Sequence, residues 1–298
     1  MVSLYEKPDY WTIHGYLSCK CWDGGCGIDR LLENGVNYFL AEEGDGIQIS
    51  KEGIDVDDSE GSILIVWEPS IVSPNTYEYV RNKSWYGKLF TSVQDDGYHI
   101  ITPNPLRYDS LHLSSKEKFA CMVTSNKTRG PGKGLYYLRQ EIIDVGKGYE
   151  GFDLYGMGWS DECACYKGEI PWDRSTQPEL WRPKVEKMSE YKFTFVVENS
   201  EIIGYVTEKI INALVAGCIP VYFGAPDIDK YVPSSCFIDG KKLGIVNSFE
   251  YISSMGEDDL LGYYKNIKDF ISSSDSYYLS SYYLADQILK ILKDKGDI

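Results

Sequence analysis

The chain has 298 residues, 43% of them hydrophobic and 25% charged, which is typical of a globular protein with more than one domain. Its net charge of −15 excludes a general affinity for nucleic acid or an anionic membrane surface, so an anionic ligand needs a local cationic pocket. No apolar run reaches the ~20 residues of a membrane span, and the N-terminus lacks a signal-peptide pattern. We therefore expect a cytoplasmic or soluble protein.

Short apolar runs in the first third of the chain predict strands separated by turn-rich linkers. They lie at 36–40, 63–67 and 98–102, with an acidic, glycine-containing loop at 41–62. A second series begins near Lys118. In chain order it predicts strand 119–124, loop 125–134, helix 135–145, strand 152–155, a helix ending near Met188, strand 193–197, helix 207–216 and strand 219–223.

Strands that are continuous apolar runs and alternate with helices predict a parallel sheet covered on both faces. Two such series predict an α/β protein with two Rossmann-like domains, 1–117 and 118–298. The C-terminal part of the second domain is expected to be helical, because its apolar residues recur on one face in two segments. These residues are Ile267, Phe270 and Ile271 in the first segment and Ile288, Ile291 and Leu292 in the second.

Residues 203–210, IGYVTEKI, lie where the carboxyl end of a parallel strand meets a helix N-terminus, the usual ligand position in such sheets. Thr207 suits the N-cap and Glu208 the first helical turn, since the unpaired N–H groups there favour negative charge. Lys209 has the unfavourable sign for this position unless an anion such as a diphosphate binds there. The alternative is that Glu208 and Lys209 form an ordinary surface ion pair.

The stretch 191–238 contains Y-K-F, E-N, Y-x-T-E-K, G-x-x-P-V-Y-x-G and P-x-x-x-F-I in that order. This combination resembles the donor-binding signature of the α1,3/α1,4-fucosyltransferases, glycosyltransferase family ten. The resemblance implies the GT-B fold, which has two Rossmann-like domains facing across a cleft. It also implies GDP-fucose as the donor and transfer with inversion.

The resemblance further implies individual roles in the donor site. It assigns Glu208 to the ribose hydroxyls, Lys209 and Tyr205 to the diphosphate region, and Asn199 to the donor site as well. Glu198, the other residue of the E-N pair, must be turned away from the diphosphate or paired, because two negative charges repel each other.

FACMVTSNKT (119–128), followed by LYYLRQEII and FDLYGMGW, resembles the start of the same domain. Ser125 and Asn126 fit the family's turn, where backbone N–H groups and short polar side chains meet phosphate or base. A phosphate-binding cation should follow, and three residues compete for the role. Spacing favours Lys133, guanidinium chemistry favours Arg129, and Arg139 is the most helical and so best suited to a structural role.

Glu68 directly follows the predicted strand 63–67. Inverting transfer needs a carboxylate that accepts the acceptor's hydroxyl proton while that oxygen attacks the anomeric carbon. The segment 63–77 is similar to the family's first-domain acidic segment, which implies Glu68 as this base. The alternative is an ordinary loop carboxylate. The nearby aromatic residues either line an acceptor groove or pack in the core: Trp67, Tyr77 and Trp85.

Two D-x-D motifs, at 55–57 and 227–229, are interpreted as solvated loops, because the first precedes a strand and the second lies in a variable part of the signature. We therefore expect no cofactor and no essential divalent metal. Lys209, a second cation and helix N-termini would stabilise the charge on the leaving GDP. The C-x-C spacings among the eight cysteines favour free thiols over a zinc site or disulfides.

The resemblance to glycosyltransferase family ten implies an inverting fucosyltransferase that moves fucose from GDP-fucose to a hydroxyl of an acceptor glycan through an α1,3 linkage. The first domain is expected to bind the acceptor and the second to bind GDP-fucose, with neither nucleic acid nor membrane as a partner. Two alternatives stay open: a GT-B transferase that uses another GDP-sugar, and a catalytically silent glycan-binding relative.

Overall fold

A computed structural model describes residues 2–6, 17–40, 47–51, 61–66, 68–90, 98–99, 112, 116–127, 134–171 and 181–298. The chain divides into two compact units. The first comprises Met1–Asp109, Ile202–Glu208 and Ser276–Ile298, and the second comprises Ser110–Glu201 and Lys209–Asp275. The boundary near residue 109 lies several residues before the predicted one at 117.

The first unit contains a parallel sheet whose order is β2-β1-β3-β4-β5-β6. Its strands are β1 (Val2–Glu6), β2 (Val36–Leu40), β3 (Ile47–Lys51), β4 (Ser62–Val66), β5 (Gly87–Phe90) and β6 (Tyr98–His99). The structure confirms the predicted β2 and β4, and it adds β3 inside the segment predicted as an acidic loop.

The second unit contains a parallel sheet with the order β11-β10-β9-β7-β8. Its strands are β7 (Lys118–Val123), β8 (Phe152–Tyr155), β9 (Tyr191–Val197), β10 (Ile219–Phe223) and β11 (Ile238–Asp239). Both sheets begin with the order 2-1-3-4-5 of doubly wound α/β folds, which confirms the two predicted Rossmann-like halves.

The α-helices of the described residues are numbered in chain order. They are α1 (Gly27–Glu33), α2 (Pro74–Arg81), α3 (Tyr136–Gly146), α4 (Arg182–Met188), α5 (Glu208–Val215), α6 (Gly240–Leu243), α7 (Ile245–Ser254), α8 (Glu257–Ile271) and α9 (Ser281–Lys295). The structure confirms the predicted helices that correspond to α3, α4 and α5. Both ends of α3 and of α5 differ from the prediction by one residue, and α4 ends at Met188 as predicted.

The last helix, α9, corrects the predicted division of the chain, which placed all C-terminal helices in the second domain. Its apolar face packs into the core of the first unit against Leu4, Ile63 and Leu89. A Cβ atom at Gly87 would lie only 2.7 Å from Cγ2 of Ile291, so α9 approaches β5 closely. Apolar periodicity predicts which face of a helix is buried, but it does not predict which sheet that face covers.

Candidate functional site

The second sheet reverses its strand order between β7 and β9, which lie side by side. Ligands of doubly wound sheets bind beyond the carboxyl ends of the strands at such a switch point. Ser125 follows β7, while Glu198 and Asn199 follow β9. The sheet therefore brings together two predicted donor-site segments that are far apart in sequence.

Arg139 joins these two strand ends. It lies on α3 and is only 4% exposed. Its guanidinium donates from Nη1 to the carbonyl oxygen of Ser125 at 3.2 Å and from Nη2 to Oδ1 of Asn199 at 2.9 Å. These contacts agree with the structural role that its helical position favoured. The other two candidates for the second cation lie outside the described residues: Arg129 and Lys133.

Glu198 is completely buried and forms an ion pair with Lys209. Its backbone N–H donates to the carbonyl oxygen of Phe223 at 2.9 Å. Its Oε2 lies 3.1 Å from Nζ of Lys209, whose side chain is 25% exposed. The negative charge of Glu198 is thus compensated by Lys209. A Cβ atom at Gly224 would lie 2.5 Å from Cγ of Glu198, which explains the glycine in this part of the signature.

The start of α5 carries the residues of the T-E-K motif. Thr207 is 3% exposed and immediately precedes the helix, and Glu208 and Lys209 are its first two residues. The loop before it turns at Gly204, whose φ of 77° favours glycine. Glu208 has the favourable sign for a helix N-terminus, and the unfavourable sign of Lys209 is offset by Glu198.

In the first unit, the predicted base lies next to a predicted donor residue. Glu68 follows β4 and precedes a turn in which the carbonyl oxygen of Pro69 accepts bonds from the N–H groups of Val72 and Ser73, at 2.8 and 3.0 Å. Tyr205 is 1% exposed. Its hydroxyl donates to Oε2 of Glu68 at 2.7 Å. The resemblance implied a diphosphate contact for Tyr205, and nothing in the sequence indicated this contact with Glu68.

Asn126 is held by the segment that follows β8. Its backbone N–H donates to the carbonyl oxygen of Met157, and its Nδ2 donates to that of Gly158, both at 2.9 Å. The indole N–H of Trp159 donates to the carbonyl oxygen of Thr124 at 2.7 Å. These bonds fix the conformation of the turn after β7, so the side-chain nitrogen of Asn126 serves here as an anchor of that turn.

Two of the aromatic residues considered for an acceptor groove are core residues. Tyr77 and Trp85 are 5% and 9% exposed, and they pack with Leu64, Val66 and Val80. The indole N–H of Trp85 also donates to the carbonyl oxygen of Val80 at 3.2 Å. The third residue, Trp67, lies outside the described part of the chain.

The D-x-D motif at 227–229 lies in a short turn after β10. Oδ2 of Asp227 lies 3.4 Å from the hydroxyl of Tyr231 and 3.5 Å from Nζ of Lys230, while Asp229 is exposed. The motif at 55–57 lies outside the described residues, among which no group of three or more His, Cys, Asp or Glu residues is arranged to hold a metal ion. All eight cysteines are described, and they are free thiols.

Comparison with known proteins gives concordant matches. The family model "Glycosyltransferase family 10 (fucosyltransferase) C-term" matches residues 113–265. An α-(1,4)-fucosyltransferase of Arabidopsis thaliana is 42% identical over 72 residues, which cover 24% of this chain and 18% of the relative. The 4-galactosyl-N-acetylglucosaminide 3-α-L-fucosyltransferase 9 of Mus musculus is 27% identical over 179 residues, which cover 58% and 43%.

A crystal structure of an α1,3-fucosyltransferase with GDP is similar in fold, with a TM-score of 0.54 and 16% identity over 98% of this chain and 91% of that chain. The two parallel-sheet units therefore have the GT-B fold. Because the family model covers just over half of the sequence, the chain belongs to glycosyltransferase family 10, the fucosyltransferase family.

The matched segments span less than half the length of these two curated relatives. Among the helices in the described residues, none combines the length and the apolar character that crossing a membrane requires.

Proposed function

We propose that this chain is an inverting fucosyltransferase that moves fucose from GDP-fucose to a hydroxyl group of an acceptor glycan, forming an α1,3 linkage. One observation carries the proposal: a family-10 chain places Lys209, partly exposed and paired with a buried carboxylate, in the first turn of α5. Solved α1,3-fucosyltransferases of similar fold hold GDP or GDP-fucose, which supports the same donor here.

The donor is proposed to bind the second unit, together with the start of α5. Lys209 would donate to the diphosphate oxygens, and the helix N-terminus would contribute N–H groups to the same charge. Glu208 would accept hydrogen bonds from the ribose hydroxyls. Ser125 and Asn199, which Arg139 holds in place, would frame the nucleotide at the switch point.

The first unit is proposed to bind the acceptor and to supply the base. The acceptor oxygen attacks the anomeric carbon of fucose on the face opposite GDP, and the bond from that carbon to the diphosphate oxygen breaks. Glu68 takes the hydroxyl proton during the attack. GDP leaves with additional negative charge, which Lys209 and the helix N-terminus stabilise. The proposed mechanism uses no divalent metal.

The experiment is a screen of the purified chain with GDP-fucose against acceptor glycans, with and without EDTA. The panel includes a 4-galactosyl-N-acetylglucosaminide, because one relative acts on that acceptor by its name. We expect a fucosylated product whose yield EDTA does not change. Transfer from GDP-mannose but not from GDP-fucose would support the alternative of a GT-B transferase that uses another GDP-sugar. Glycan binding without any release of GDP would support the alternative of a catalytically silent glycan-binding relative.

A further inference from the structure

The hydrogen bond between Tyr205 and Glu68 joins two residues that are 137 positions apart in sequence. Both belong to the first compact unit. The O···O distance of 2.7 Å lies at the upper end of the range for a hydroxyl that donates to a carboxylate, a charge-assisted and therefore strong hydrogen bond.

The Tyr205 ring is held in place by its surroundings. The residue is 1% exposed, and its neighbour Val206 is fully buried. The backbone N–H of Tyr205 donates to the carbonyl oxygen of Ile202 at 3.1 Å, and that of Val206 donates to the carbonyl oxygen of Gly204 at 3.0 Å. A tight turn, buried except for Ile203, therefore fixes the position from which the phenol reaches Glu68.

A catalytic carboxylate needs such a support. The last torsion of a glutamate side chain is soft, with broad wells, so a glutamate that follows a strand end does not orient its own oxygens. A general base must lie within hydrogen-bond reach of the proton that it takes, and a misplacement of about 1 Å can cost roughly 100-fold in rate.

We propose that Tyr205 is a positioning residue for Glu68, whose carboxylate accepts the single hydroxyl proton of the phenol. This inference rests on the proposed function, in which Glu68 is the base. The phenol donates to Oε2 and keeps its own proton throughout the reaction. The acceptor's proton passes to the Glu68 carboxylate while the new glycosidic bond forms and the bond to GDP breaks.

The test compares wild type, Tyr205→Phe, Glu68→Gln and the double variant. Tyr205→Phe removes only the hydroxyl, and we expect kcat to fall by roughly 10- to 100-fold. The KM for GDP-fucose and the Kd for GDP should stay within about twofold, because the donor contacts are untouched. The double variant should be no slower than Glu68→Gln, since a positioning bond has no effect once the base is gone.

Tyr191→Phe is a matched control in the second unit. Tyr191 is also buried, and its hydroxyl donates to Oδ2 of Asp153 at 2.7 Å and lies 2.8 Å from the hydroxyl of Tyr155. Both Phe variants should lose thermal stability, but only Tyr205→Phe should lose kcat. A Tyr205→Phe enzyme with wild-type kcat would overturn the positioning role alone. A Kd for GDP weakened tenfold or more would place the hydroxyl on the diphosphate instead, and a wild type without transfer would overturn the proposed function itself.

Discussion

Replacing Lys209 by methionine tests the buried ion pair and the donor site together. The change leaves the Glu198 carboxylate, which is 0% exposed, without the ammonium that lies 3.1 Å away. Removing one partner of a buried pair costs about 3–5 kcal/mol. Because the side chain of Lys209 is 25% exposed, water already screens the pair, so we expect the free energy of unfolding to fall by about 2–3 kcal/mol.

This loss corresponds to a melting temperature lower by roughly 4–12 °C for a unit of this size. GDP binding should weaken as well, since a hydrogen bond to a charged group contributes about 1.5–3 kcal/mol, or roughly 10- to 150-fold in Kd. Thermal denaturation and calorimetric titration with GDP measure the two effects on the same preparation.

A double variant, Lys209→Met with Glu198→Gln, separates the two effects. The glutamine removes the uncompensated buried charge, so the melting temperature should recover most of its loss. GDP affinity should stay as weak as in Lys209→Met. GDP binding by Lys209→Met at the wild-type level would refute the role of Lys209 in the donor site. A double variant no more stable than the single one would refute the role of the buried ion pair.

Three further predictions concern other described residues. Arg139→Met should lower both the melting temperature and the GDP affinity, because Ser125 and Asn199 lose their shared donor; unchanged values would contradict the bridging role. Glu208→Ala should weaken GDP binding by roughly tenfold with little change in folding, by calorimetry and circular dichroism. Burial raises the pKa of Cys121 to about 12, so iodoacetamide at pH 8 should modify the partly exposed Cys163 first, as mass spectrometry would show.

Buried parallel strands were the elements that the sequence predicted well. β10 is a continuous apolar run, and β8 is apolar except for Asp153; both are bounded by turn residues, and the structure has them at the predicted residues. β3 was missed because it has only two isoleucines, too short an alternation to give a clear signal beside the acidic, glycine-containing residues around it. Helix α2 was not predicted, because it begins with Pro74 and has few apolar residues, so apolar periodicity gave no clear helical signal.

The donor-site residues could be predicted because the elements of their signature lie close together in the chain. The residues that they contact in three dimensions could not be predicted in this way. The contact between Glu198 and Lys209 spans a strand end and a helix start, and the side-chain contact between Arg139 and Asn199 depends on the order of two strands. Neither spacing nor propensity encodes such contacts. The partner of Tyr205 was unpredictable for the same reason, because it lies in a different sequence segment.

We propose above all that this chain transfers fucose with Glu68 as the base and with the donor held by other residues. Transfer of labelled fucose from GDP-fucose by wild type and by Glu68→Gln, with GDP affinity measured in parallel, tests it most directly. We predict that Glu68→Gln loses transfer by at least about 100-fold while its Kd for GDP stays within about twofold of wild type. Wild-type turnover by Glu68→Gln would contradict the account.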